Sequence, residues 1–249
     1  MDRRIKKYKT PGELAEELAL KLKKEINNKS KIDEDFYLVL SGGSTPKNLF
    51  KILAEVPYKD DIKWESLQLF WGDERCLPPD DPESNYGETR KLLLDKIAIP
   101  KENVHRIIGE AKPEEETARY ANEIQSIIPF EKSLPRFDCI LLGVGEDGHT
   151  ASLFPGKELY AVAQNICGVA EKSIPLRDGK NIQKRVSLTK DVICNSEQVF
   201  FLVTGEKKSK ILSEIINEEP ISRNYPAAGI NNIYGFSEWR IDEDAASKL

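Results

Sequence analysis

The stretch Phe137-Asp138-Cys139-Ile140-Leu141-Leu142-Gly143-Val144-Gly145-Glu146-Asp147-Gly148-His149 decides how the chain is read. Its first half is a short apolar run. Its second half is a glycine-rich turn carrying one of only two histidines. A continuous apolar run that ends in a turn signal predicts a strand buried on both faces, the kind that builds parallel sheets. Glycines allow positive φ and close approach to a ligand, and an imidazole titrates near neutral pH and moves protons. The stretch therefore predicts a strand that presents a proton-transfer group at its carboxyl end.

The same order of strand, glycine loop and helix recurs in both directions. Phe36-Tyr37-Leu38-Val39-Leu40 runs into Ser41-Gly42-Gly43-Ser44-Thr45-Pro46, with Leu49, Phe50 and Leu53 at helical spacing beyond. Leu67-Gln68-Leu69-Phe70-Trp71 runs into Gly72-Asp73-Glu74-Arg75, and Gln198-Val199-Phe200-Phe201-Leu202-Val203 runs into Thr204-Gly205. Thr10-Pro11-Gly12-Glu13 supplies an N-cap, a Pro at N1 and a Glu at N3 for an opening helix with Leu14, Leu18, Leu22 and Ile26 on one face. Asn85 to Glu88 predicts a helix start with Leu92 and Leu93 beyond it. Pro113 opens a helix whose acidic run Glu114-Glu115-Glu116 is expected to be solvated. The segment 171–184, where Lys and Arg alternate with Gly and Pro, reads as a loop that either covers a ligand or merely connects.

This alternation predicts the α/β class, with a mostly parallel, doubly wound, Rossmann-like sheet carrying helices on both faces. A chain of 249 residues fits a single domain spanning 1–249. In such sheets ligands bind beyond the carboxyl ends of the strands, so the four loops are expected to meet at one cleft.

Composition narrows the partners. A formal charge of −5 argues against a nucleic-acid binder, which needs clustered Lys and Arg. No apolar run approaches a membrane span and no secretory h-region follows the basic start, which predicts a cytoplasmic protein without a membrane partner. Cys76, Cys139, Cys167 and Cys194 form no C-x-x-C pair and read as buried free thiols. With His105 and His149 far apart in sequence, no metal site is expected.

Three loops carry chemistry. In Ser41-Gly42-Gly43-Ser44 two glycines expose amides, the serines add donors, and a helix N-terminus stands behind, which suits a phosphate monoester. The Gly-Lys-Ser/Thr ending of a triphosphate-binding loop is missing. Gly143-Val144-Gly145-Glu146-Asp147-Gly148 matches G-x-G-x-x-G, but Pro155-Gly156 follows too soon for the sustained helix of a dinucleotide fold. Asp73 is expected to support a protonated histidine or hold a ligand hydroxyl, and Arg75 to meet phosphate or a developing oxyanion. Asp147, with Gly148, is expected to set the geometry of the histidine loop. Arg185 and Lys208 stand near strand ends, but position alone does not select them from 37 Lys and Arg.

Taken together, Ser41 to Pro46, Trp71 to Arg75 with Asp80 to Tyr86, and Gly145 to Pro155 closely resemble the 6-phosphogluconolactonases. Arg185-Val186-Ser187-Leu188-Thr189, Thr204-Gly205 with Lys208, and Pro226-Ala227-Ala228 continue the pattern in order. The resemblance implies a fold shared with the glucosamine-6-phosphate deaminases and a phosphosugar lactone as the small-molecule substrate. It also implies hydrolysis with no metal or organic cofactor. It assigns proton transfer to His149, a catalytic setting to Asp73 and Arg75, and phosphate binding to Ser41, Gly42, Gly43, Ser44, Arg185 and Lys208. The deaminases carry a glutamate where this chain has Phe154, and the missing carboxylate favours the lactonases. A phosphosugar-sensing module is the third reading, and it lacks an attached DNA-binding segment.

Overall fold

The apolar runs form the centre of a seven-stranded sheet. The computed structural model describes residues 4–131, 133–157, 165–176, 179–232 and 234–249. In chain order the strands are β1 (Arg4–Tyr8), β2 (Phe36–Leu40), β3 (Leu67–Trp71), β4 (Asp73–Arg75), β5 (Val104–His105), β6 (Phe130–Glu131), β7 (Leu134–Pro135), β8 (Cys139–Leu142), β9 (Cys167–Leu176), β10 (Gly179–Leu188), β11 (Gln198–Val203) and β12 (Phe236–Asp242). The helices are α1 (Pro11–Ser30), α2 (Ser44–Leu53), α3 (Tyr58–Asp61), α4 (Asn85–Leu92), α5 (Pro113–Ile127), α6 (Lys190–Asn195) and α7 (Ser209–Ile216).

The large sheet has the order β1-β12-β11-β8-β2-β3-β5, and every pairing in it is parallel. Every residue of β8 and β11 is buried, so both faces of the sheet are covered at its centre. Phe201 stacks on Trp239 with ring centres 4.1 Å apart, locking β11 to β12. From β2 the chain proceeds to β3 and β5 on one side, whereas β8, β11 and β12 lie on the other. The order reverses between β2 and β8, so the serine-glycine loop and the histidine loop leave adjacent strands at the switch point.

Local signals act largely as read. Thr10 caps α1, its hydroxyl accepting from the Glu13 amide, while the Glu13 carboxylate accepts from the Lys9 amide. For α4 the cap is Ser84 rather than Asn85: its Oγ accepts from the Gly87 amide at 3.0 Å, which leaves Asn85 for another task. The acidic start of α5 is solvated only in part. Glu114 and Glu115 are exposed, but Glu116 is buried, accepting from the Ile108 amide and pairing with Arg119 at 2.6 Å. One carboxylate thus ties the first turn to the preceding loop. All four cysteines are free; Cys139, Cys167 and Cys194 are buried, but Cys76 is only partly so.

The segment 171–184 is not an irregular loop. It lies mostly within β9 and β10, an antiparallel hairpin paired from Cys167 opposite Leu188 to Leu176 opposite Gly179. A hairpin satisfies its backbone within itself and needs no continuous apolar run, so its charged sequence hides it. β10 also pairs with β4, setting Arg185 opposite Arg75 and Ser187 opposite Asp73. This second sheet brings the hairpin to the mouth of the cleft.

Candidate active site

A cavity of ≈ 290 Å³ opens at the switch point, lined by Ser41, Gly42, Gly43, Ser44, Asp73, Arg75, His149, Arg185 and Lys208 among others. Nine residues singled out in sequence therefore share one concavity, although they come from five separate stretches of chain. Asp147 and Gly148 stand behind it in the histidine loop.

One end is a cradle. β2 stops at Leu40, Gly43 takes φ +109° as the residue before α2, and Ser44 begins the helix. No acidic residue occupies the first turn of α2, so its amides keep their positive field toward the cavity. The Thr45 hydroxyl meets that of Thr204 at 2.7 Å, joining the cradle to the loop after β11. That loop is fixed by Asp242, whose carboxylate accepts from the Gly205 amide, and it delivers Lys208 to the cavity.

The other end is the histidine loop. The Gly145 amide donates to the His149 carbonyl at 2.8 Å, closing a tight turn. A Cβ at Gly145 would lie 2.0 Å from His149 Nδ1, so only glycine admits the imidazole here. Gly148 holds φ +80° against the Tyr225 ring, where a side chain has neither a favourable backbone nor room. Asp147 accepts from the His149 amide at 3.2 Å and also forms a short hydrogen bond with His149 Nδ1. Burial opposes ionisation of Asp147, but hydrogen bonding to the imidazole outweighs it and holds the carboxyl well below the usual range. Nε2 of His149 has no hydrogen-bond partner among the described residues. The imidazole thus has one nitrogen anchored and one available to a ligand.

Between the ends, the structure revises one expectation. Asp73 lines the cavity but does not contact His149. Its carboxylate accepts from Ser152 Oγ at 2.6 Å and lies 3.7 Å from the Arg185 guanidinium. The β4–β10 register turns it toward Ser187, Ser152 and Arg185, whereas Asp147 reaches the imidazole from only two residues away. Support of the imidazole belongs to Asp147. Arg185 is further held by the Gln183 side chain at 2.8 Å, with burial the main influence lowering its affinity for a proton. Arg75 donates to the Glu83 carbonyl, while its buried Nε has no hydrogen-bond partner among the described residues, and it also borders a smaller adjoining recess of ≈ 200 Å³.

Sequence reasoning missed Asn85 and Lys172, both of which line the cavity. Asn85 read as part of a helix cap; instead its amide donates to the Asp73 carbonyl at 2.9 Å. It is placed by buried Glu74, whose carboxylate accepts from the Asn85 and Tyr86 amides at 2.8 and 2.7 Å. Burial raises the Glu74 proton affinity despite these donors. Lys172 lay within the supposed loop and carried no signal distinguishing it from other lysines.

A helix N-terminus preceded by a glycine loop and a carboxylate-supported histidine face one switch-point cavity of an α/β protein. Residues 9–237 match the family described as glucosamine-6-phosphate isomerases/6-phosphogluconolactonase, and the chain belongs to that family. It is 43% identical over 229 residues to the 6-phosphogluconolactonase of Haemophilus influenzae, covering 92% of this chain and 94% of that one. A crystal structure named devB protein superposes with a TM-score of 0.89 at 45% identity, covering 99% of both chains. The 6-phosphogluconolactonase of Trypanosoma brucei gives 0.85 at 26% identity, covering 100% of this chain and 99% of that one. Among the described residues, no helix is long and apolar enough to cross a membrane, and no group of three His, Cys, Asp or Glu side chains is arranged to hold a metal ion.

Proposed function

We propose that this chain hydrolyses 6-phospho-D-glucono-1,5-lactone to 6-phospho-D-gluconate in the oxidative pentose phosphate pathway, as a single-domain cytoplasmic enzyme with His149 as general base and acid. The observation that carries the reading is the imidazole itself. Nδ1 is held by the Asp147 carboxylate and Nε2 has no partner among the described residues, in the cavity that also contains the amide cradle.

The lactone is a cyclic ester with a phosphate at the far end. Ser41, Gly42, Gly43 and Ser44 take the phosphate on backbone amides and hydroxyls, Lys208 balances its charge there, and Arg185 adds to that balance from between the cradle and the imidazole. That remote binding orients the carbonyl carbon toward His149. Nε2 accepts a proton from water as the water oxygen bonds to C1, and the carbonyl electron pair moves onto oxygen. The tetrahedral adduct then collapses, C1 parts from the ring oxygen, and the imidazolium returns its proton to that oxygen. Asp147 stabilises the imidazolium between the two transfers. Asp73, fixed by Ser152 and Arg185, is placed to receive sugar hydroxyls, and Arg75 adds positive charge along the cavity wall.

The test is turnover of freshly generated lactone, with product oxidation as the readout and spontaneous hydrolysis subtracted. Turnover well above background supports the reading; background rates overturn it. The family also contains deaminases, for which ammonia release from glucosamine 6-phosphate is the measurement. Phe154 puts an aromatic ring where that chemistry has a carboxylate, 4.9 Å from the His149 ring, so no release is expected.

A further inference from the structure

Phe154 is the centre of an unusual grouping. Its ring is 4.9 Å from the His149 ring, 5.6 Å from the Lys172 ammonium and 5.6 Å from the Arg185 guanidinium. Arg185 has partners, in Asp73 and Gln183. Lys172 has none: among the described residues it makes neither a hydrogen bond nor an ion pair. It projects from β9 into the cavity wall, half-buried and beside another cation. Burial, followed by the charge of Arg185, pushes its proton affinity down. A cation kept in such a place with no ion-pair partner among the described residues is expensive to hold unless a ligand supplies the charge.

The position separates Lys172 from the cradle. Lys208, Thr204 and the Ser41 to Ser44 loop line the cavity with the α2 N-terminus, whereas Lys172 lies against the Phe154 ring with Arg185 and the imidazole. Lys172 shares the Phe154 platform with the imidazole, and Asp147 is among the charges it feels. It therefore belongs to the end where bonds are made and broken.

We propose that Lys172 is a catalytic residue that carries the C1 end of the ligand, donating to the oxyanion of the tetrahedral adduct and afterwards to the product carboxylate. The proposal rests on the lactonase reading. As water adds to C1, the carbonyl oxygen gains the electron pair and the ammonium meets it, while the proton from water goes to His149. When the oxyanion pair re-forms the carbonyl and C1 releases the ring oxygen, that proton moves on to the ring oxygen, and the carboxylic acid ionises beside the ammonium, giving its proton to bulk water. Lys172 keeps its own proton throughout.

The experiment compares wild type, Lys172→Met and Lys172→Arg, each first shown by circular dichroism and thermal melting to be folded. Lys172→Met should lower kcat about 100-fold, the usual effect of losing one oxyanion donor, with KM little changed, and Lys172→Arg should restore part of it. By calorimetry, Lys172→Met should weaken 6-phospho-D-gluconate about 10-fold, the worth of a lost hydrogen bond to a charged group, while inorganic phosphate binds as to wild type. An unchanged kcat overturns the assignment. A raised KM together with weakened inorganic phosphate also overturns it, because Lys172 then serves the phosphate. If wild type itself fails to turn over lactone, the lactonase reading falls. In that case unaltered phosphogluconate binding by Lys172→Met independently rejects the C1-end assignment.

Discussion

The two histidines of this chain sit in opposite kinds of surroundings. His105, at the end of β5, is buried, stacked on Phe70 with ring centres 4.5 Å apart, and engaged at both nitrogens. Nδ1 meets Glu123 at 3.0 Å and Nε2 meets the Gln68 side-chain oxygen at 2.8 Å. His149 has one nitrogen engaged and the other open to a cavity. The same side chain spends its whole hydrogen-bonding capacity on structure at His105 and leaves half of it open at His149. Neither sequence position nor residue type makes that distinction.

The comparison can be broken most directly at His149. His149→Ala should reduce kcat by about 10²- to 10⁴-fold while 6-phospho-D-gluconate still binds, measured by coupled turnover and calorimetry. Near-wild-type turnover would remove the distinction between the two histidines.

A middle case lies at the anchoring side chains. Arg185→Ala should raise KM about 30-fold, the equivalent of a charge-assisted hydrogen bond of about 2 kcal/mol, with kcat affected less; steady-state kinetics separates the two. Asp147→Asn should lower kcat about tenfold by removing roughly 1.5 kcal/mol of imidazolium stabilisation. Its sign with pH follows from the depressed carboxyl. In wild type the Asp147 contribution is complete above its unfolded value and fades only as pH falls toward the lower folded value. The activity difference between wild type and Asp147→Asn should therefore stay constant through the neutral range and narrow only in acid, which parallel pH profiles check.

The smallest effect on turnover belongs to His105. His105→Ala should leave kcat per folded molecule unchanged but cost about 2 kcal/mol of stability, since Gln68 and Glu123 lose a buried partner. Urea denaturation beside active-site titration checks both halves. Loss of turnover in folded His105→Ala would join the two sites that the geometry separates.

What was legible in sequence follows the range of the interactions. β2, β3 and β11 are complete in local apolar runs, and their observed bounds are those of the runs. The cradle and the histidine loop were legible because glycine and the neighbouring turn residues state their backbone needs locally. β9 and β10 were not, because their charged residues find partners far away in sequence, such as Asp73 for Arg185 and Glu114 for Lys184, and their strand pairings are set by tertiary register. The same cause hid Lys172 and misassigned the support of His149 to Asp73. Glu116 was likewise read as solvated, since nothing local announces that the Ile108 amide lies within its reach.

The register that sets Arg75 opposite Arg185 carries a thermodynamic consequence of its own. Two cations facing each other across antiparallel strands repel, and in the unliganded chain Asp73, 3.7 Å from the Arg185 guanidinium, offsets only part of that repulsion. An anion in the cavity relieves that repulsion in the native state and finds no comparable site in the unfolded chain. Occupancy is then readable as heat resistance: at a hundredfold excess of ligand over Kd the native state gains about 2.7 kcal/mol. A melting curve recorded across a concentration series of candidate phosphosugars thus becomes a ranking of the ligands themselves, made without following any reaction.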